Sequence, residues 1–411
     1  MIVNNYINWN LIRYASVLSF LIFFNYLLWS VNSWQIIKFI NFFILFGTFI
    51  FFFISKKFND YWYLKIIILL LLLICLGTPT ISADARLLYL FSGKILFYES
   101  NLYSFLDNFN LPADNFFDIV NSRPKLAATL SATFAQIVGY WNEIFPKSTN
   151  VIIIFPPIIF LISFFKDKVL IMLWLFLMLF FSGKLFIMGM MEGILAIYFI
   201  SSILITYKIS ITKVQSEKKL LYFVMFLFFT TLTLCKNEGT IMILVILLSS
   251  IFINLIYEKK IDYNFLFITS ISLIPILFWK YIIISNNIKF EYLQSGDPIG
   301  RILERFTNTE DLFITLFFLV TNEKLVLSLI IFIFFVLRYF NNNKKLIFFV
   351  SANFLLYFLI IIIGFFASPR DLLVQFEASS SRTFIPLILM LIYFSIFLAK
   401  NDYFFNINKS S

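Results

Sequence analysis

The chain is expected to be an all-α integral membrane protein with about 12 transmembrane helices, on three observations. Of its 411 residues 61% are hydrophobic and only 13% charged, whereas soluble domains carry about a quarter charged residues; the mean hydropathy is +0.93. Its apolar residues fall in runs near the roughly 20 needed for a helix to cross the bilayer, without the alternation of barrel strands. Lysine-rich turns recur after every second run, as the positive-inside bias requires. Because backbone groups in hydrocarbon must be satisfied within their own segment, the runs read as helices.

In order, spans are expected at residues 11–30, 35–55 and 62–76, with Lys56 and Lys57 in the turn between the last two. No small-x-small cleavage pattern follows the apolar residues 16–30, so this stretch is read as the first span. A long polar interval, residues 78–150, comes next. Spans at 151–165, 169–181, 185–207, 220–234, 240–256 and 265–284 then alternate between lysine-rich turns and short polar ones. The run 312–320 is too short to cross and reads as interfacial or re-entrant. Spans at 325–337, 346–366 and 384–399 complete the set. Both termini fall on the lysine-rich side, taken as cytoplasmic in an inner (plasma) membrane. The intervals 78–150, 285–324 and 367–383 fall outside, and no repeat divides this single polytopic domain, 1–411.

Composition also narrows the chemistry. The chain has no histidine, which removes His-based zinc sites, a Ser-His-Asp triad and a histidine proton relay, so carboxylates must supply any base. Cys75 and Cys235 lie inside apolar runs and form no spacing motif. The net charge of +10 reflects the loop bias that sets orientation, and no nucleic-acid partner is expected. Gly-rich phosphate loops, DxD-like acid pairs and paired-cysteine motifs are absent from the sequence.

Polar chemistry is therefore sought at the outer ends of the spans. Asp84 follows an apolar run and precedes a helical stretch, where an acid either caps that helix or reacts. Glu192 and Glu238 each sit at the outer end of another run, where an ionised acid is costly unless paired or functional. The three acids converge on one cleft or form a salt-bridge network. Outer cations run against the topological bias and suggest an anion: Arg123, Lys125, Lys147, Lys236, Arg370 and Arg382. Arg382, at the start of the last span, meets a headgroup phosphate or snorkels to the interface. Tyr89, Tyr98, Tyr103, Tyr140 and Trp141 offer stacking faces for a sugar or form the interfacial aromatic belt.

These segments resemble the polytopic GT-C glycosyltransferases, within them the bacterial branch related to lipid A arabinose and protein mannose transferases. The resemblance is carried by Asp84-Ala85 with Lys94, by Ser122-Arg123-Pro124-Lys125 continuing to Gly139-Tyr140-Trp141-Asn142-Glu143 and Pro146-Lys147-Ser148, and by Gly189-Met190-Met191-Glu192-Gly193 with Ala196 and Tyr198. Lys236-Asn237-Glu238-Gly239 and Ser381-Arg382 before Pro386 complete it. Arg123-Pro124 stands where the family has His-Pro, Glu192 stands where Asp is usual, and the carboxy-terminal soluble domain of some relatives has no counterpart in these residues. The resemblance implies that Asp84 is the catalytic base, Glu192 the second acid, and Arg382 a residue facing the donor phosphate. Lys94, Arg123, Lys125, Lys147, Lys236 and Glu238 are the accompanying substrate- or phosphate-binding candidates. The donor would be a sugar on a polyprenyl phosphate, the acceptor an envelope lipid or glycan, and the reaction inverting, with membrane lipids as surroundings. No cofactor is expected, and a divalent metal is left open. The alternatives are a flippase or transporter for lipid-linked glycans and an O-antigen polymerase or ligase.

Overall fold

The computed structural model describes residues 7–80, 82, 85–103, 120, 122–288 and 297–400. Among the described residues every regular element is a helix. In order they are α1 (Trp9–Ser30), α2 (Gln35–Ile54), α3 (Trp62–Gly77), α4 (Phe91–Glu99), α5 (Leu126–Val138), α6 (Thr149–Ile162), α7 (Lys168–Met188) and α8 (Met191–Ile211). Then follow α9 (Gln215–Cys235), α10 (Glu238–Tyr257), α11 (Tyr263–Ser285), α12 (Pro298–Thr307), α13 (Thr309–Thr321), α14 (Glu323–Ala367), α15 (Leu372–Thr383) and α16 (Ile385–Ala399). Ten helical stretches among the described residues are long and apolar enough to cross a membrane, as expected of an all-α multi-pass membrane protein.

Side chains at the turns start these helices. Asn8 accepts from the backbone N–H groups of Asn10 and Leu11 at the head of α1, Asp167 from Val169 at α7, and Asp262 from Phe265 at α11. α8 lies at the centre, packed against α6, α7, α9, α10, α14 and α16, and nearly all its side chains are buried. An apolar sequence with no polar face suits such a position. α2, α3 and α11 leave long apolar side chains on the outside, including Phe43, Leu70 and Phe278, as lipid-facing helices do. Inside the bundle, Pro157 interrupts α6 and cannot donate to the carbonyl of Ile153 four residues earlier. The hydroxyl of Tyr198 on α8 donates to that carbonyl at 2.9 Å, so the central helix compensates for the break.

Four expected boundaries differ. Residues 182–184 lie inside α7 instead of forming a turn. The Ser182 hydroxyl bonds the Met178 carbonyl at 2.5 Å within the helix, and Lys184 projects outward, so a polar triplet passes without a break. The helix ends at Gly189, whose φ of +79° is a left-handed cap. The spans expected at 325–337 and 346–366 belong to one element, α14, of 45 residues, whose backbone leaves helical geometry only at Asn343. The span expected at 151–165 is the 14-residue α6, lengthened by the 3₁₀ turn Pro146–Ser148. The expected 384–399 span follows directly on α15, a helix within the interval read as a loop. The run 312–320 forms α13, 13 residues long, about 20 Å and so short of a bilayer crossing.

The turns sort into two groups. At one end of the bundle, Lys168 pairs with Asp60 at 3.0 Å, Lys218 with Asp262 at 3.1 Å, and Lys345 with Glu258. Each pair joins two lysine-bearing turns that alternation puts on one side. At the other end, Arg301 and Arg305 of α12 donate to carbonyls at residues 365–367 and 370, so the two late polar intervals meet there.

Candidate functional site

The centre of the candidate site is the head of α8. Gly189 turns the chain, Met190 leads into the helix, and Glu192 falls in its first turn, where the helix dipole favours an acid. Across from it, the two-residue turn between α9 and α10 presents Lys236, and the first residue of α10 is Glu238. That turn depends on Gly239: a Cβ there would lie 1.9 Å from the Leu232 carbonyl oxygen, so the backbones of α9 and α10 approach as only glycine permits.

Lys236 Nζ lies 3.2 Å from Glu192 Oε1 and 2.7 Å from Glu238 Oε1. The side chains of Lys236 and Glu192 are 13% and 9% exposed, that of Glu238 37%, so an interior ion pair carries a third, more accessible charge. Burial alone would depress the Lys236 ammonium, but the carboxylates of Glu192 and Glu238 outweigh it and hold its pKa well above the usual lysine range. Lys236 is thus a fixed cation and no base. Arg382, in the last turn of α15, lies within electrostatic reach of Glu192.

A second layer comes from Tyr89 and Arg123. Arg123 Nη1 donates to the Tyr89 hydroxyl at 3.0 Å, with the guanidinium 5.5 Å from the ring centroid. Tyr89 lies within reach of the Lys236, Glu192 and Glu238 charges, and burial is the main cause of its pKa being pushed up to about 12. The structure therefore brings five of the expected residues into one neighbourhood: Glu192, Lys236, Glu238, Arg123 and Arg382.

Lys125 stands behind Arg123. Its ammonium is buried and donates to the Ser92 hydroxyl at 2.8 Å and the Val120 carbonyl at 2.6 Å. Burial, then the Arg123 charge, lower its pKa to about 7. Lys147 is fully buried and donates to the backbone oxygen of Thr78 at 2.6 Å, closing the end of α3. Its Cβ also lies beside Gly189, as does that of Ala85. Lys94 is exposed on α4 and pairs with no described residue. Asp84 lies outside the described residues. The nearest described residues in the chain are Ser82, whose hydroxyl contacts the Met190 sulfur at 3.1 Å, and Ala85. Of the aromatic candidates, Tyr89 is in the cluster, Tyr98 and Tyr140 are exposed, and Tyr103 donates to the Ser30 carbonyl.

Sequence reading missed three polar features. Arg86 pairs with Glu143, and both are partly exposed. Asn237 Oδ1 and Thr240 Oγ1 are buried and, like Glu192 Oε2, have no hydrogen-bond partner among the described residues. The unbroken polar run Lys236 to Thr240 was the available signal. Such atoms suit a ligand bearing hydroxyl groups, since buried polar atoms are rarely left unsatisfied. Among the described residues no three His, Cys, Asp or Glu side chains gather to hold a metal ion. Comparison with protein-family models, curated proteins and solved structures returns no match for the chain.

Proposed function

We propose that the chain is a GT-C-type membrane glycosyltransferase of about 12 spans, transferring a sugar from a polyprenyl-phosphate donor to an envelope acceptor. The Glu192 end then faces the periplasm, and both termini the cytoplasm. The observation that carries this reading is the meeting of Arg123, Lys236 and Arg382 with Glu192 and Glu238 at the ends of membrane-length helices, where a lipid-anchored phosphate sits. Counting twelve spans means that α6 with its preceding turn crosses once and that α14 crosses twice, reversing at Asn343.

In this reading Asp84 accepts the proton of an acceptor hydroxyl while that oxygen attacks the anomeric carbon. The bond from that carbon to the phosphate oxygen breaks, and the lipid phosphate leaves with the electron pair. Attack from the face opposite the phosphate inverts the anomeric centre. Positioned proton transfer contributes about 10² to 10⁴ in rate. Arg382 and Arg123 stabilise the charge on the departing phosphate, which preorganised cations do best in a dry site. Lys236, held between two carboxylates, keeps Glu192 ionised and in place, while Glu192 Oε2, Asn237 Oδ1 and Thr240 Oγ1 meet sugar hydroxyls.

The test is mass spectrometry of envelope glycolipids from cells with the protein, without it, and with Asp84→Asn at equal membrane abundance. The expected result is a sugar-mass increment present only with the unaltered chain. Full modification by Asp84→Asn would remove that residue from the mechanism. A lipid-linked glycan that only changes leaflet, with no change in mass, would favour a flippase.

A further inference from the structure

At the opposite end of α8 from Glu192, 16 residues or about 24 Å along the helix, two lysines approach each other with no counter-charge among the described residues. Lys208, in the last turn of α8, is 2% exposed. Its Nζ lies 5.1 Å from the centroid of the Phe164 ring and 5.4 Å from that of Phe397. Lys400, just past α16, places its Nζ 3.7 Å from the same Phe397 ring. That nitrogen is buried with no hydrogen-bond partner among the described residues.

Four acids of the surrounding turns are engaged elsewhere, Glu217 in the first turn of α9 pairs with neither lysine, and Asp402 lies outside the described residues. Asp60 pairs with Lys168, Asp167 caps α7 through the Val169 N–H, Asp262 holds Lys218 and the Tyr222 hydroxyl, and Glu258 holds Lys345. Among the described residues, neither Lys208 nor Lys400 pairs with a carboxylate. An aromatic face attracts one ammonium, but two that share a ring repel each other. Both are also desolvated, and such a pair is costly unless an anion joins it. The rest of the Lys400 side chain is partly exposed, at the lysine-rich end of the bundle.

We propose that Lys208 and Lys400 form a binding site for a phosphate anion, bridged over the Phe397 ring. The phosphate belongs to a phospholipid headgroup or is free in solution. The site is separate from the Glu192 cluster, and its test does not depend on transferase activity.

The experiment uses the full chain purified in detergent, with native mass spectrometry after addition of phosphatidylglycerol or phosphatidylcholine. A parallel arm measures thermal unfolding in inorganic phosphate against chloride at equal ionic strength. For a lipid source, the unaltered chain keeps phosphatidylglycerol adducts that fall about tenfold in Lys208→Met/Lys400→Met, while phosphatidylcholine uptake is unchanged. For a soluble source, phosphate raises the unfolding temperature of the unaltered chain and not of the variant. Lys400→Arg, which keeps the charge, should behave as the unaltered chain, and comparison with Lys400→Met serves if the double variant does not fold. Equal adducts and no phosphate effect, or the same response in charge-free variants, would overturn the proposal.

Discussion

The two ends of α8 solve the problem of buried charge differently. At the Glu192 end, residues far apart in the chain, 123, 192, 236, 238 and 382, share one neighbourhood in which a buried lysine is held between two acids. At the Lys208 end, Lys168, Lys218 and Lys345 each pair with one acid of another turn while Lys208 and Lys400 pair with none among the described residues, and the Lys168–Asp60 pair is largely in solvent, with side chains 55% and 79% exposed. One-to-one pairs near solvent staple helices together. A cluster of alternating sign in the interior, with polar atoms left over, costs more to assemble than a staple needs and suits ligand chemistry better.

The contrast makes predictions of decreasing size. Lys236→Met should have the largest effect, because it leaves Glu192 buried without its partner. Loss of one member of a buried pair typically costs about 3–5 kcal/mol, measurable as a fall in the midpoint of thermal unfolding in detergent. Combining it with Glu192→Leu should recover most of that loss, whereas additive losses would mean that the two side chains act independently. Gly239→Ala follows, since its methyl group meets the Leu232 carbonyl. Forced overpacking of this kind costs about 1–3 kcal/mol, and an unchanged unfolding midpoint would show that the α9–α10 turn has room for a methyl group.

Lys125 gives a pH signature. Its folded pKa of about 7 lies below the roughly 10.4 of an unfolded lysine. Between those values the unfolded chain binds more protons, so stability rises with pH through this window. The contribution is complete above the unfolded pKa and is lost as pH falls through about 7. Unfolding midpoints measured from pH 6.5 to 9 should rise more steeply for the unaltered chain than for Lys125→Met; parallel curves would place the ammonium in water. The smallest effect belongs to Lys168→Ala, at most about 1 kcal/mol and absent in high salt. A loss as large as that of Lys236→Met would erase the distinction between the two ends.

The helices were legible because hydrophobic length and alternating lysine turns are properties of local sequence. Their ends were less so. Ser182-Gly183-Lys184 resembles a turn, yet the serine bonds within its helix and the lysine points outward, so polarity alone misplaces the boundary. The backbone break at Asn343 and the single-residue junction at Phe384 between α15 and α16 carry no local sequence signal of the kind that marks the other turns. In the site, Glu192, Lys236 and Glu238 were legible as charges at the ends of apolar runs. Their pairing was not, nor was the role of Lys147 in closing α3 or the Tyr89–Arg123 bond, because those partners lie far apart in sequence.

The most direct measurement is photo-crosslinking with a polyprenyl phosphate bearing a diazirine beside its phosphate, on the full chain in nanodiscs, mapped by peptide mass spectrometry. Crosslinks in residues 120–125, 236–240 and 372–383 that are competed by unlabelled polyprenyl phosphate are predicted. Crosslinks confined to the lipid-facing surfaces of α2 and α11, or insensitive to competitor, would contradict the account.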